Sequence, residues 1–255
     1  MDRHSAARHS RGWKPWLLAL VLAQSGAATT RAGAAANETG LLRATVQLRN
    51  GNGRGSGTVI ASSAGETLIV TATHVVQGAK ALQVEIHRHN LGSRIMELTE
   101  GGGWPRLVRA EIVVEDPDSD LALVRVRGMV ALRYVARIDP KAVEPSKGDT
   151  MTSVGIDNTR RLTLWKTGVV GPAELDLKRG KGGGRKFTLT TRWPEHGRSG
   201  GGLFRTDGAL VGVCTGQLRL GSAPRVGAFA SVESLRALLA TVEAVEANHT
   251  ASPGC

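Results

Sequence analysis

Short apolar and β-branched runs, separated by glycine, proline, aspartate and serine, constrain the fold of this chain more than any other feature. Runs of strand length that are bounded by turn-forming residues are typical of β-strands. Six predicted strands occupy the first half of the chain, at 44–48, 57–61, 68–72, 82–87, 110–115 and 121–126. Six more lie at 151–154, 162–170, 186–191, 202–205, 210–214 and 226–230. Two sets of six predict an all-β fold of two six-stranded antiparallel β-barrels.

A C-terminal α-helix is predicted over residues 231–247. Its apolar residues recur at spacings of three and four behind Ser231, a residue type that favours helix N-caps. The predicted organisation is a flexible lead-in at 28–40, an N-terminal barrel at 41–136, an inter-barrel connection at 137–148, a C-terminal barrel at 149–230, this helix, and a tail at 248–255.

The first 27 residues have the features of a secretory signal peptide. Four basic residues precede an apolar stretch at 15–23, and the small-residue run Ser25-Gly26-Ala27 follows it. The apolar stretch is too short to span a bilayer. We expect cleavage after Ala27, with alternatives at Ala34 to Ala36, and a periplasmic or secreted product that has no integral membrane segment after signal removal.

The charge balance indicates a basic surface. Lys and Arg number 33 against 22 Asp and Glu, which gives a formal net charge of +11. Acidic substrates, anionic envelope surfaces and nucleic acid are all attracted by such a charge. Only 4% of the residues are aromatic, and no basic stripe with interleaved aromatic residues is present in the sequence. These patterns argue against a nucleic-acid partner.

Two cysteines, Cys214 and Cys255, leave two possibilities open. In an oxidising compartment they could form one disulfide that ties the tail to the core. Alternatively, Cys214 is a small buried hydrophobe within the apolar run 210–214, and Cys255 is part of a free terminus.

Ser199 is the strongest candidate for a chemical role. It lies in the glycine-rich run Gly197-Arg198-Ser199-Gly200-Gly201, where a tight turn can expose a hydroxyl group and backbone N–H groups together. A serine nucleophile needs an imidazole as base and a carboxylate that orients the imidazole. His74, directly after a predicted strand, and Asp120, directly before one, are candidates for these two roles.

Three segments together resemble the signatures of chymotrypsin-fold serine proteases: Val70-Thr71-Ala72-Thr73-His74, Asp118-Ser119-Asp120-Leu121-Ala122-Leu123, and Gly197-Arg198-Ser199-Gly200-Gly201. The chain is closest in style to bacterial HtrA/DegP-like protease domains, and no PDZ-like segment is expected after Ala247. The resemblance implies a serine endopeptidase in which Ser199 attacks the scissile carbonyl, His74 transfers the proton and Asp120 orients His74. The N–H groups of Gly197 and Ser199 would form the oxyanion hole.

The resemblance also implies polypeptide substrates and no cofactor. The strand that includes Cys214, Thr215 and Gly216 would lie beside the substrate backbone, with the Thr215 hydroxyl as a partner for Asp120. Trp193 would form part of the specificity pocket. The absence of an aspartate six residues before Ser199 suggests a small or apolar residue before the cleaved bond.

Three positions depart from the commoner pattern of this family. Arg198 stands where vertebrate-type enzymes have Asp, so activation by pairing of that carboxylate with a newly freed N-terminus is not expected. Gly202 replaces a commoner Pro or Ala, which could loosen the turn. Thr73 replaces a commoner Ala, which is a small steric change.

Some of these residues also fit other structures or functions. The run around Ser199 also fits the nucleophile elbow of α/β-hydrolases, with Asp207 and His249 as nominal partners, although that fold needs alternating strands and helices. Glu85, His87 and His89 would share one face of a strand over 82–89 and could bind a metal, but a solvated strand face is the simpler expectation. The protease-like fold could also be an inactive peptide-binding module, or an enzyme kept latent by an unformed oxyanion hole.

Overall fold

The structure is a computed structural model that describes residues 38–93, 103–158, 160–175, 184–219 and 221–250. Side-chain environments are described as far as residue 242. The predicted signal peptide, most of the predicted lead-in, and Cys255 lie outside the described residues.

The N-terminal half forms a closed antiparallel barrel with the strand order β1-β2-β3-β6-β5-β4. A short helix, α1 (Glu38–Arg43), precedes the barrel, and a second short helix, α2 (Thr73–Val76), lies between β3 and β4. The six strands are β1 (Thr45–Asn50), β2 (Gly53–Ser63), β3 (Glu66–Thr71), β4 (Leu82–Ile86), β5 (Arg106–Asp116) and β6 (Leu121–Arg127).

The C-terminal half forms a second closed antiparallel barrel with the order β10-β11-β12-β9-β8-β7. Its strands are β7 (Thr150–Asp157), β8 (Arg161–Leu175), β9 (Arg185–Thr190), β10 (Gly202–Phe204), β11 (Leu210–Arg219) and β12 (Arg225–Ser231). The segment between the barrels contacts both of them, since the Ala136 N–H donates to Val59 O and the Leu210 N–H donates to Arg137 O.

The predicted fold class is confirmed, and each predicted strand overlaps a strand of the structure. The main difference is length, because β2 begins at Gly53 and β8 continues to Leu175. Apolar runs mark only the buried centre of a strand, whereas backbone pairing with neighbouring strands continues into polar residues at its ends. Helix α1 was not predicted.

The environment of Glu85, His87 and His89 differs from the expected solvated strand face. Strand β4 ends at Ile86, and Arg88–Leu91 forms a 3-10 turn, so the three residues do not share one strand. All three side chains are buried, the two imidazole rings stack with centroids 5.3 Å apart, and Glu85 is paired with Arg49 and His87. Burial lowers the pKa of His89 to about 4. Within the described ranges, no group of His, Cys, Asp and Glu is arranged to hold a metal ion.

The terminal helix, α3 (Val232–Thr250), packs across strands of both barrels. The Ser231 hydroxyl accepts a hydrogen bond from the Ser234 N–H at 3.2 Å, as expected of an N-cap residue. Leu235 is completely buried in a core cluster that also contains Leu123 and Phe187, one from each barrel. In the part of the chain that the structure describes, no helix combines the length and apolarity needed to cross a bilayer.

We predict that Leu235→Ala lowers the free energy of unfolding by about 2–5 kcal/mol, because truncation leaves a cavity in this shared cluster. Thr241→Ala, at an exposed position of the same helix, is the matched control and should change it by less than about 0.5 kcal/mol. Urea unfolding followed by circular dichroism measures both values. Equal effects of the two substitutions would contradict the role given to the helix.

Candidate active site

His74 lies on α2, immediately after the fully buried strand β3. The Thr73 hydroxyl donates to Leu121 O at 2.6 Å, and Val75 and Val76 of the short helix are buried. These contacts fix the first barrel's side of the site. They leave the His74 side chain 47% exposed, at the surface of a crevice.

Asp120 lies in the loop between β5 and β6 and is almost completely buried. Its φ of 53° is in the left-handed region, which aspartate tolerates better than most residues. Both carboxylate oxygens lie 2.9 Å from His74 Nδ1, and Oδ1 also accepts the His74 backbone N–H at 3.1 Å. This pairing places the proton on Nδ1 and leaves Nε2 as the basic nitrogen of neutral His74.

The hydrogen bond that His74 Nδ1 donates to Asp120 raises the pKa of His74 above its ordinary value of 6.5, against the opposing effect of burial. The negative charge of Asp120 acts in the same direction as the hydrogen bond. A base with a raised pKa accepts a proton more readily, and a fixed carboxylate stabilises the imidazolium that forms.

Ser199 lies in the turn between β9 and β10, and two glycines of that turn have positive φ angles. Gly197 has φ 92° and Gly200 has φ 85°. A Cβ atom on Gly200 would lie 2.0 Å from the carbonyl oxygen of Ser56, so the turn also approaches the first barrel closely at this point. Glycine therefore meets both the conformational and the steric requirements of the turn.

The backbone N–H groups of the turn fall into two sets. Those of Arg198, Gly200 and Gly201 donate to Glu195 O, Cys214 O and Arg198 O, at 3.2, 2.7 and 2.8 Å. Among the described residues, no acceptor is hydrogen-bonded to the N–H of Gly197 or of Ser199. These two donors are the predicted oxyanion-hole groups.

The structure brings His74, Gly197 and Ser199 to the wall of one crevice of about 580 Å³. The other lining residues are Asn50, Asn52, Gly53, Arg54, Val75 and His196. The Ser199 hydroxyl donates to the Thr215 carbonyl oxygen at 3.2 Å, and the described contacts include no hydrogen bond from it to His74.

The residues predicted to contact substrate differ in their exposure to solvent. Trp193 is exposed and Gly216 lies in β11, but the Cys214 side chain is completely buried. The Cys214 N–H and carbonyl are bonded to Gly201 and Gly200, so this residue supports the turn from behind, which corrects its expected contact with substrate. Among the described residues Cys214 is a free thiol without a disulfide partner, and burial raises its pKa to about 12.

The expected bond between the Thr215 hydroxyl and Asp120 is wrong. Within the described residues, the buried Thr215 Oγ1 has no hydrogen-bond partner, whereas the Thr215 carbonyl accepts a hydrogen bond from Ser199. Asp207, considered above as part of an α/β-hydrolase triad, pairs with Arg137 at 2.9 Å instead. Two β-barrels also exclude the alternating strands and helices of that fold.

Sequence reasoning missed two residues that contact the turn. Ser56 in β2 donates through its hydroxyl to Gly197 O at 2.9 Å, and Asp157 at the end of β7 pairs with Arg198 at 2.7 Å. The Gly55-Ser56-Gly57 run was a visible signal for close backbone approach, but no local sequence feature identified Asp157 as a partner of Arg198.

Two closed six-stranded barrels with this site between them define the chymotrypsin-like fold class of serine proteases. The sequence model of the trypsin-like peptidase domain family matches residues 55–213, which is more than half of the chain. The chain belongs to this family. No curated protein matches the sequence.

Solved structures agree with this assignment at the level of the fold. A mutant of Rv3671c from M. tuberculosis H37Rv, in an inactive form, is 19% identical with a TM-score of 0.59, covering 84% of this chain and 91% of that one. The serine endoprotease from Yersinia pestis is 20% identical with a TM-score of 0.60, covering 83% of this chain and 68% of that one. The predicted family resemblance is confirmed.

We predict that Asp120→Asn lowers the pKa of His74 below that of the unsubstituted protein, because burial then acts without the opposing carboxylate. The midpoint can be measured by NMR titration of the imidazole carbons. Asp118→Asn makes the same chemical change two residues away and should leave the midpoint near its original value.

The raised pKa of His74 also determines how its contribution to the stability of the fold changes with pH. A folded-state pKa above 6.5 means that protonated His74 stabilises the fold, a contribution fully present below pH 6.5 and lost as the pH rises through the folded-state pKa. An unchanged His74 midpoint in Asp120→Asn would contradict the assigned pairing.

Proposed function

We propose that this chain is an exported serine endopeptidase that hydrolyses peptide bonds through a Ser-His-Asp triad and an acyl-enzyme intermediate. The observation that carries the proposal is the bond from His74 Nδ1 to both oxygens of buried Asp120, with Ser199 on the wall of the same crevice. The order and roles of these groups match the requirements of a serine nucleophile.

In the proposed reaction, Ser199 Oγ attacks the carbonyl carbon of the substrate while its proton passes to His74 Nε2. Asp120 holds the ring through Nδ1 and stabilises the imidazolium. The Gly197 and Ser199 N–H groups donate to the developing oxyanion, and His74 then protonates the leaving amine. Water attacks the resulting ester with His74 again as base, which releases the acyl product and restores the Ser199 hydroxyl.

The proposed reaction requires a hydrogen bond between the Ser199 hydroxyl and His74 that the described contacts do not include. The Ser199 hydroxyl must turn about its Cα–Cβ bond from the Thr215 carbonyl towards His74. Apo active sites commonly hold catalytic hydrogen bonds that form or tighten only with substrate present.

The Ser199–Thr215 hydrogen bond also favours a second candidate, a latent or catalytically silent peptide-binding module with a protease fold. In this alternative the hydroxyl remains bound to the Thr215 carbonyl and His74 does not activate it. Reactivity of the hydroxyl distinguishes the two proposals directly.

We predict that a fluorophosphonate probe labels the purified protein at Ser199, since only an activated serine attacks such a phosphorus centre rapidly. Peptide mapping by mass spectrometry identifies the modified residue. Ser199→Ala and His74→Ala should abolish labelling, whereas Ser62→Ala, a serine of β2 away from the crevice, should retain it. A folded protein that is not labelled and does not cleave a peptide library would favour the binding module.

Export is the second part of the proposal, and it is supported by the basic residues and apolar stretch of the first 27 residues. We predict that protein recovered from the periplasm or medium of an expressing bacterium begins after Ala27, or after one of the alternatives at 34–36. N-terminal sequencing measures the start. Recovery only in the cytoplasm with residues 1–27 intact would contradict export.

A further inference from the structure

Arg198 stands directly between the two N–H donors, yet its side chain points away from the crevice into the second barrel. It is completely buried. Nε donates to Asp157 Oδ1 at 2.7 Å and Nη2 donates to Asp157 Oδ2 at 2.8 Å, so the carboxylate binds the guanidinium through both oxygens. A two-point pair of this kind fixes orientation as well as charge.

The guanidinium of Arg198 has further partners besides Asp157. Nη1 donates to Ser153 Oγ at 3.1 Å, Nη2 contacts the Thr163 hydroxyl, and the guanidinium carbon lies 4.5 Å from the centroid of the Trp165 ring. Strands β7 and β8 supply all of these partners. The central residue of the turn is thereby attached to the wall of the second barrel.

Ser56 holds the same turn from the first barrel. Its N–H donates to Ser199 O at 2.7 Å, and its hydroxyl donates to Gly197 O at 2.9 Å. The same hydroxyl accepts the Ile156 N–H at 2.9 Å, next to Asp157 on β7. One fully buried serine therefore bonds to the residues before and after Arg198, and to the strand that anchors the Arg198 side chain.

These contacts restrain the backbone where the oxyanion hole would form. The Gly197 carbonyl shares a peptide plane with the Arg198 N–H, and the Ser199 carbonyl shares one with the Gly200 N–H, so the two Ser56 hydrogen bonds restrain the planes that directly follow the two donor residues. The N–H of Ser199 shares its own plane with the Arg198 carbonyl, which accepts the Gly201 N–H at 2.8 Å. The N–H of Gly197 shares its plane with the His196 carbonyl, which accepts the Asn158 N–H at 2.7 Å. Between these planes, the buried two-point ion pair with Asp157 holds the Arg198 side chain and so restrains displacement of the Arg198 Cα atom. Loss of one partner from such a pair is strongly unfavourable, because a charge is left buried without compensation.

We infer that Ser56 and Arg198 are positioning residues that hold the Gly197 and Ser199 N–H groups towards the crevice. The inference rests on the proposed function for its catalytic consequence. Neither side chain touches the reacting atoms; each acts through the backbone. All of these restraining contacts lie within the folded barrels, so the turn needs no charge from a newly cleaved N-terminus. Position 198 is Arg here, whereas vertebrate-type enzymes have the oppositely charged Asp.

The test uses Ser56→Ala with Ser62→Ala as its matched control. Both serines lie in β2, and the Ser62 hydroxyl also has two partners, Thr67 Oγ1 at 2.7 Å and the Leu132 N–H at 2.9 Å. We expect Ser56→Ala to lower kcat by about 10- to 100-fold with KM within about two-fold, as misplacement of catalytic groups does. Ser62→Ala should change both constants by less than about two-fold.

Hydrogen exchange measured by mass spectrometry provides a readout that does not depend on activity. A peptide spanning 194–201 contains the bonded N–H groups of Arg198, Gly200 and Gly201, and it should exchange faster in Ser56→Ala than in Ser62→Ala. Arg198→Lys keeps the positive charge but loses the planar guanidinium that bonds both oxygens of Asp157, so it should accelerate the same exchange further.

The outcomes are separable. Equal exchange and equal kcat in Ser56→Ala and Ser62→Ala would overturn the positioning role, whether or not Arg198→Lys folds. A wild-type protein without any activity would overturn the proposed function, and the exchange comparison would still decide whether these residues hold the turn. A larger KM with unchanged kcat in Ser56→Ala would also overturn the role, because it would indicate a substrate contact instead.

Discussion

The site depends on close backbone contact between two barrels that are each closed on themselves. Closure satisfies the strand edges within each barrel, so the loops that join strands are free to meet across the junction. Ser56 on β2 and the turn at Ser199 meet there, with the Ser56 N–H only 2.7 Å from Ser199 O. No residue with a side chain at Gly200 could fit this junction, because a Cβ would lie 2.0 Å from Ser56 O. The crevice with His74 and Ser199 on its wall is lined by residues of β2 and of this turn.

The charged groups near the junction form two pairs with different surroundings. Asp120 is buried, and its carboxylate is committed to His74, whose ring reaches the crevice and has a raised pKa. Arg198 and Asp157 form an ion pair inside the second barrel, where each charge is compensated by the other and by further hydrogen bonds. Burial of charges is costly, so such a pair contributes orientation more than stability. In the proposed mechanism the first pair prepares a base, and in the proposed positioning role the second pair restrains the turn.

The terminal helix connects these local arrangements to the whole fold. Leu235 of α3 packs in a cluster that takes residues from both barrels, such as Leu123 and Phe187. Packing of this helix and the bonds of the inter-barrel segment therefore act on the relative placement of the barrels, on which the geometry at Ser56 depends.

The sequence by itself determined the twelve strand centres, the two-barrel fold class, the terminal helix, and the candidates His74, Asp120 and Ser199. Strand periodicity and turn residues are local signals, and three motifs in one order exceed what each could indicate alone. The sequence could not determine that β4 ends at Ile86, that Cys214 supports the turn, or that the Thr215 hydroxyl does not contact Asp120. Nor could it pair Arg198 with Asp157, or Ser56 with Gly197. Those contacts join residues far apart in the chain, and only the packing of two closed barrels decides which side chains meet and which are buried.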